Sequence, residues 1–234
     1  METPKLVLEA LESDFSVDFI IVPGDQHPDP DIAEACEEQR VRMFGLSAEA
    51  FANLSDAKSP QPALAVVELP DLDVDHSFAA PAGVGMYLVL VDVADPGNVG
   101  TLIRTAEATG CSGVIVTPQT ADVFSPKVVR ASAGSVLRVP LAEVGLEDLE
   151  ATFQHLGVQS IATAMDGAPY SAVAVDAEKP VAIILGSEAH GLAEEVRDLA
   201  DHTVSIPMHG KVESLNVATT GAVLAFDMAA RRTS

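Results

Sequence analysis

The second part of this chain alternates short, almost wholly apolar segments with stretches of helical periodicity, and this alternation limits the folds open to it. The apolar segments within residues 86–234 include MYLVLVDV, GVIVTP, QSIATAM, VAIILG and TVSIPM. A strand that is apolar at nearly every position is buried on both faces, which is typical of a parallel sheet covered by helices. Strands and helices in alternation predict an α/β domain built on such a sheet.

The first part of the chain shows the same two kinds of segment on a smaller scale. Apolar residues at helical spacing in KLVLEALES precede three strand-like segments, DFIIVPG, RVRMFGLS and ALAVVEL. The stretch DLDVDHSFAAPAGVG, rich in Asp, Pro, Ala and Gly, is typical of a linker. We therefore predict a small α/β domain over residues 1–75, a linker over 76–85 and a larger domain over 86–234.

The chain is strongly acidic, with 35 Asp and Glu against 13 Lys and Arg and a formal net charge of −22. This charge argues against general affinity for nucleic acids, because phosphate contacts need Lys and Arg. Net charge bears on solubility and association rather than on fold, and an acidic proteome or a salt-adapted host would explain it. A nucleic-acid ligand would need a local basic patch, for which the candidates are Lys127, Arg130 and Arg138. The alternative is that these cations serve as salt-bridge partners for the surplus carboxylates.

Several other classes of protein find little support. No apolar run approaches the roughly 18 residues of a membrane span, and the first residues show no signal-peptide pattern. Cys36 and Cys111 lie far apart without a CxxC pair, which indicates reduced thiols in a cytoplasmic protein. The six histidines show no metal-binding spacing, so we predict no metal site. The glycine patterns of dinucleotide-binding and phosphate-binding loops are missing too, which disfavours a nucleotide-binding oxidoreductase.

Three short blocks carry polar residues directly after predicted strands. The first, DPGNVGTLIRTAEATG over residues 95–110, opens a helix and contains Asn98 and Arg104. These two residues are six positions apart, less than two helical turns, so both can face the strand ends. A helix N-terminus with Gly suits a phosphate or another anion. Taken alone, the block is also compatible with an ordinary Asn/Gly turn and a surface Arg.

The second block, LGSEAHGL over residues 185–192, follows an apolar strand with a loop containing two glycines. Gly186 would let a ligand approach the backbone, and Glu188 supplies a carboxylate. The third block joins SIPMHG at residues 205–210 to ESLN at 213–216, where a final helix is predicted to open at Ser214. Each block alone is also compatible with a plain strand–turn–helix junction.

Together, in this order and near the C-terminal end, the three blocks resemble the sequence motifs of the SpoU/TrmH class of RNA methyltransferases in the SPOUT superfamily. The resemblance implies a methyltransferase domain with a trefoil knot, in which the C-terminal helix threads a loop, and a homodimer built around the cofactor site. Residues 1–75 are similar to the small substrate-binding domain that precedes this domain in many relatives and is shared with RNA-binding ribosomal proteins.

The resemblance also implies an activity, a cofactor and site residues. The expected reaction is S-adenosylmethionine-dependent methylation of a ribose 2′-hydroxyl in ribosomal or transfer RNA, with RNA as partner and neither DNA nor a membrane. The positions expected at the substrate and the reacting atoms are Asn98, Arg104, Glu188, Ser214 and Asn216. Those expected at the cofactor are Thr163, Leu185, Gly186, Ile206, Met208 and Leu215. The alternative function is an RNA-binding or regulatory module that keeps the fold but has lost catalysis.

Overall fold

The protein, seen here in a computed structural model, is described over residues 1–54, 61–78 and 85–232. The chain divides into two compact units, Met1–Pro70 and Asp71–Ser234. The division falls a few residues before the linker that the sequence predicts at 76–85. Part of that predicted linker, residues 79–84, lies outside the described residues.

The first unit is a three-stranded sheet in the order β2-β1-β3 with helices on it. Strand β1 pairs with β2 in parallel and with β3 in antiparallel orientation. The strands are β1 Val17–Pro23, β2 Arg42–Leu46 and β3 Leu64–Val67, and the helices are α1 Pro4–Glu12, α2 Pro30–Gln39 and α3 Ala48–Leu54. One face of the sheet packs on α1 and α2 in a core of buried residues, Val7, Leu11, Ile20, Val22, Ile32, Cys36, Ala63 and Ala65.

Local sequence explains where α1 and α2 begin. The Thr3 hydroxyl accepts a hydrogen bond from the Leu6 amide at 3.2 Å, and the Asp29 carboxylate accepts one from the Asp31 amide at 3.0 Å. In both helices a proline follows the capping residue, where its missing N–H costs no helical hydrogen bond.

The second unit contains a six-stranded, entirely parallel sheet in the order β6-β5-β4-β8-β7-β9. Its strands are β4 Met86–Leu90, β5 Gly113–Val116, β6 Leu141–Glu143, β7 Gln159–Pro169, β8 Val181–Leu185 and β9 His202–Ser205. The two central strands, β4 and β8, are buried at every position. This confirms the parallel sheet that the apolar segments predict.

The helices of the second unit follow the predicted pattern with local differences. They are α4 Val74–Ser77, α5 Pro96–Ala108, α6 Pro126–Ala131, α7 Leu149–Leu156, α8 Glu194–Asp198 and α9 Val217–Arg232. Helix α4 crosses the predicted boundary between the first domain and the linker at 75/76, and Asp73 caps it by accepting from the Asp75 amide at 2.8 Å. The last helix begins at Val217 rather than at Ser214, because Asn216 and not Ser214 caps its first amides.

Helix α9 packs closely on α5 and β8 through its small residues. A Cβ added at Gly221 would lie 2.4 Å from Cδ2 of Leu102 and 2.8 Å from Cδ1 of Leu185. Both leucines are fully buried, so only glycine fits without a shift. The Ala/Thr/Gly-rich run of the sequence thus serves tight packing at this point.

Candidate active site at the carboxyl edge of the parallel sheet

The three motif blocks meet where the strand order of the parallel sheet reverses. From β4 the chain proceeds outward through β5 and β6, then returns to place β8 on the other side of β4. The carboxyl ends of β4 and β8 are in register, with Leu90 opposite Leu185 and the Val91 amide donating to the Leu185 carbonyl at 2.8 Å. Ligands of open α/β sheets bind in the crevice outside the strand ends at such a reversal.

Hydrogen bonds from two threonines, which the three motif blocks do not contain, hold the loop after β4. Asp92 adopts a left-handed backbone conformation with φ of 54°. Its amide donates to the Thr117 hydroxyl at 2.9 Å, and that hydroxyl donates to the Asp92 carboxylate at 2.8 Å. The Thr120 hydroxyl donates to the Leu90 carbonyl at 2.9 Å. Thr117 and Thr120 are buried, and two threonines just after an apolar strand are the signal that points to them.

The same loop ends in a capped helix that orients Asn98. The Asp95 carboxylate accepts the Asn98 amide at 2.9 Å, and Lys127 Nζ lies 3.6 Å from it. The hydrogen bond from the Asn98 amide, assisted by the charge of Lys127, lowers the pKa of Asp95 below its ordinary value. Asp95 therefore remains an anion at the start of α5, where the helix dipole favours negative charge.

Asn98, Glu188 and Asn216 form one hydrogen-bonded chain across all three blocks. Asn98 Nδ2 donates to Glu188 Oε1 at 2.7 Å, and Asn216 Nδ2 donates to Asn98 Oδ1 at 2.9 Å. Asn216 Oδ1 then accepts the amides of Ala218 at 2.8 Å and Thr219 at 3.3 Å.

The hydrogen bonds of this Glu188–Asn98–Asn216 chain all run in one fixed donor-to-acceptor direction. An ionised carboxylate only accepts, and the first amides of a helix only donate, so the two ends of the chain dictate how both Asn amides are turned. The arrangement joins the loops after β4 and β8 to the start of α9 through side chains separated by up to 118 positions in sequence.

The loop after β8 is closed by its own backbone. The Ser187 amide donates to the Gly191 carbonyl at 3.2 Å, and the Gly191 amide donates back to Ser187 at 2.9 Å. A Cβ at Gly186 would lie 2.4 Å from the Gly191 carbonyl carbon. The sequence suggests that Gly186 lets a ligand approach the backbone. That interpretation is incomplete, because a glycine is already required here for the loop to fold back on itself.

The predicted cofactor positions surround the carboxyl ends of β8, β7 and β9. Leu185 is buried, and the Thr163 hydroxyl donates to the Ile184 carbonyl at 3.0 Å. Ile206 and Met208 are half-buried, whereas Leu215 is 36% exposed. Within the described part of the chain, no backbone hydrogen bond involves residues 207–215, so the amides of residues 208–215 and the carbonyls of residues 207–215 remain available to a ligand.

Two of the five residues predicted at the substrate do not contact the Glu188–Asn98–Asn216 hydrogen-bonded chain. Arg104 is exposed on α5 and exerts its electrostatic effect on Glu107 of the same helix. Ser214 is exposed in the extended segment before α9. Neither residue forms a hydrogen bond to Glu188, Asn98 or Asn216 in this single protomer.

The predicted basic patch is partly neutralised by carboxylates. Arg138 makes two hydrogen bonds to Glu107, at 2.5 and 3.1 Å, which with Ser135 lower the pKa of Glu107. Lys127 is ion-paired with Asp95, while Arg130 is exposed at the end of α6. Salt bridging, the alternative role left open by the sequence, thus accounts for part of this cluster.

Within residues 1–54, 61–78 and 85–232 no group of three or more His, Cys, Asp or Glu side chains is arranged to hold a metal ion. Over the same residues, no helix combines the length and the apolar character needed to cross a bilayer.

Comparison with known proteins connects this geometry to a family. The model of the SpoU rRNA Methylase family matches residues 85–226. A 23S rRNA guanosine 2′-O-methyltransferase of Bacillus subtilis is 31% identical over 97% of this chain and 87% of its own length. An uncharacterised tRNA/rRNA methyltransferase of Synechocystis is 37% identical over 86% of this chain and 72% of its own length. The crystal structure of the SpoU methyltransferase AviRb from Streptomyces viridochromogenes, in complex with the cofactor AdoMet, has a TM-score of 0.88 at 27% identity, covering 100% of this chain and 90% of that one.

Proposed function

The chain belongs to the SpoU rRNA methylase family, and we propose that it methylates a ribose 2′-hydroxyl of RNA with S-adenosylmethionine as methyl donor. The observation that carries the proposal is the directed chain Glu188–Asn98–Asn216, which ties together the three loops at the strand-order reversal. We further propose ribosomal RNA as the substrate, since the names of several relatives specify 23S rRNA. A module that keeps the fold without catalysis would not need this directed chain.

The residues present fit S-adenosylmethionine. The half-buried side chains of Ile206 and Met208 and the exposed Leu215 offer apolar surface for an adenine ring. The free amides of residues 208–215 and the free carbonyls of residues 207–215 offer hydrogen bonds to the polar edge of the adenine and to the ribose. When bound, this cofactor supplies an electrophilic methyl group on a sulfonium.

The protein must align the 2′-hydroxyl with that methyl group and assist the loss of its proton. Alignment alone can supply several kcal/mol of the barrier. We propose that Asn98, held from both sides, and Ser214 position the ribose, and that Glu188 and Asn216 hold Asn98 in place. Arg104 would stabilise the developing oxyanion or bind the adjacent phosphate, and a phosphate oxygen or water would take the proton, since a guanidinium rarely gives up its own proton to act as the base.

The exposed position of Arg104 agrees with an RNA contact made from outside the Glu188–Asn98–Asn216 hydrogen-bonded chain. We also propose a homodimer formed through the second unit. The supporting observation is exposed apolar surface on α9, where Phe226 is 55% and Val223 is 36% exposed. The threaded crossing of the chain that the resemblance implies stays a prediction.

Two further assignments complete the proposal. The first unit would bind the RNA substrate, in line with its resemblance to the family's substrate-binding domain. The cytoplasm is the proposed location, because Cys36 and Cys111 are both free thiols, as expected in a reducing compartment.

The activity is tested with tritiated methyl transfer to total RNA from a strain that lacks the gene. Asn98→Ala and Arg104→Ala should each lower turnover by at least about tenfold while calorimetric binding of S-adenosylhomocysteine is retained. Arg104→Lys should restore little, because an ammonium lacks the planar fork. Gln154→Ala, an exposed change on α7, is the control. A wild-type protein that binds NADH but not S-adenosylhomocysteine would refute the proposal.

The dimer is tested by light scattering on the full chain. Phe226→Asp should yield monomers, whereas Leu69→Asp, at a residue of the first unit that is 71% exposed, should not. A wild-type protein that is monomeric at tens of micromolar would contradict the dimer.

A further inference from the structure

One face of the first unit's sheet is apolar and only partly covered. Ile20 and Val22 of β1 enter the α1–α2 core, so the alternate residues Phe19 and Ile21 point to the other face. The register places Phe19 between Arg42 and Val66 in one row across the sheet. In the next row, Ile21 lies between Phe44 and Leu64.

This face carries an aromatic pair and a cation in contact with it. The rings of Phe19 and Phe44 meet edge to face with centroids 5.5 Å apart, and the guanidinium carbon of Arg42 lies 5.7 Å from the centre of the Phe44 ring. Phe44 is 44% exposed and Val66 is 38% exposed. A groove of about 390 Å³ opens here, lined by Phe19, Ile21, Arg42, Phe44, Gly45 and Leu46. We call these six residues the β1–β2 groove.

The β1–β2 groove contains one cation, Arg42, and a second cation, Arg40, lies two positions earlier in the sequence. Arg40, which ends α2 in a left-handed conformation, and Arg42, at the start of β2, are both exposed. Among the residues that the structure describes, neither forms an ion pair with a carboxylate, although Lys5 of the same unit pairs with Glu9 at 3.6 Å. Arg42 therefore presents a guanidinium with no carboxylate partner among the described residues, beside the exposed ring of Phe44.

We propose that the β1–β2 groove is a stacking platform for bases of single-stranded RNA, with Arg40 and Arg42 facing the phosphates. The inference deepens the proposed function and rests on it, since it specifies how the RNA substrate is held. Unpaired bases stack on aromatic rings and on guanidinium planes, whereas bases within a duplex are not accessible for this. An apolar protein partner would use the rings but would leave the two cations without an opposite charge.

The test compares two labelled probes in fluorescence anisotropy on the full chain, a single-stranded RNA of twelve nucleotides and an abasic ribose-phosphate strand of equal length. Phe44→Ala should weaken binding of the RNA about tenfold, the effect of losing one stacked base. Phe44→Tyr keeps a ring and should stay within about twofold of wild type. The control Leu69→Ala removes an exposed apolar side chain of the same unit, outside the β1–β2 groove, and should change nothing.

The abasic strand separates stacking from charge. Phe44→Ala should leave its affinity unchanged, while Arg42→Gln should lower the slope of log K against log salt by about 0.7 for both probes. Equal RNA affinity of Phe44→Ala and wild type would overturn the inference. So would a Phe44→Ala variant that is monomeric where wild type is dimeric, because the face would then join two copies of the chain.

The same preparations distinguish this inference from the proposed function. A wild-type protein that neither binds S-adenosylhomocysteine nor transfers methyl groups removes the proposed function. A wild-type protein that does both, together with variants of the β1–β2 groove that bind RNA normally, removes the stacking platform alone.

Discussion

The direction of the Glu188–Asn98–Asn216 chain makes a sharp prediction about Asn216. Its side chain has two tasks, capping α9 with Oδ1 and donating to Asn98 with Nδ2. Asn216→Asp keeps the acceptor oxygens for the cap but removes the donor. If Asn98 turned over to donate to the new carboxylate, its own oxygen would face Glu188, so one of the two contacts is lost either way. Asn216→Ala removes both tasks at once.

The structure sets the expected magnitudes. A lost N-cap costs about 1 kcal/mol, and a lost side-chain hydrogen bond costs about another 1 kcal/mol. Asn216→Ala should therefore destabilise the second unit by about 2 kcal/mol, a fall in Tm of roughly 4–8 °C for a unit of this size. Asn216→Asp should cost about 1 kcal/mol or less, because the cap remains and an anion is favourable at a helix N-terminus.

Activity should not follow stability in this series. Both variants should lose methyl transfer, since neither holds Asn98 from the side of α9. Glu188→Gln is the matched control. A glutamine still offers an oxygen to Asn98 Nδ2, so the hydrogen bonds of the Glu188–Asn98–Asn216 chain can be kept, and it introduces no new charge. Calorimetry gives Tm and tritium transfer gives turnover. If Asn216→Asp is as unstable as Asn216→Ala, or keeps wild-type turnover, the directed chain is not what holds the site.

Two further predictions concern packing and acid stability. Gly221→Val should destabilise the protein by about 2 kcal/mol or more through overlap with Leu102 and Leu185, whereas Gly210→Val, where a Cβ meets no atom within 4 Å, should be nearly neutral in thermal melts. The Ser160 amide and hydroxyl lie 2.8 and 2.9 Å from the Asp201 carboxylate and lower the pKa of Asp201 below the ordinary 3.8. The stability that Asp201 contributes is therefore present above pH 3.8 and is lost as the pH falls through the lowered pKa. Asp201→Asn should flatten this loss of stability in pH-dependent denaturation, and an unchanged slope would contradict the assignment.

The parallel sheet could be predicted from sequence because apolar runs such as VAIILG leave few alternatives for β8. The convergence of the blocks follows from the same pattern, since the carboxyl ends of parallel strands share one edge. The direction of the hydrogen bonds through Asn98 could not be predicted, because it depends on side-chain geometry between residues far apart in sequence. The hydrogen bonds between Asp92 and Thr117 could not be predicted for the same reason.

Smaller differences have equally local causes. The sequence does not predict helix α4, because its four residues, Val74–Ser77, are too few to show a period. The sequence predicts the start of α9 at Ser214 because Ser and Asn are both good caps, and only the observed contacts of Asn216 decide between them. The partners of Lys127 and Arg138 could not be read from composition, which shows surplus carboxylates without showing which ones are near.

That last point leads to a prediction about how so acidic a chain contacts RNA. Arg138 is engaged by Glu107, so any phosphate it binds must compete with that carboxylate. Glu107→Gln removes the competing charge and weakens the hold of this side chain on the guanidinium, which should raise RNA affinity several-fold. It should also steepen the salt dependence by up to about 0.7 units of slope on single-stranded RNA, because one more cation then exchanges counterions for phosphate. Glu150→Gln, an equal change of charge on the exposed side of α7, is the control and should raise affinity far less. Anisotropy titrations at several salt concentrations measure both quantities. Equal gains for the two variants would show that net charge, rather than the pairing of Arg138, limits RNA binding.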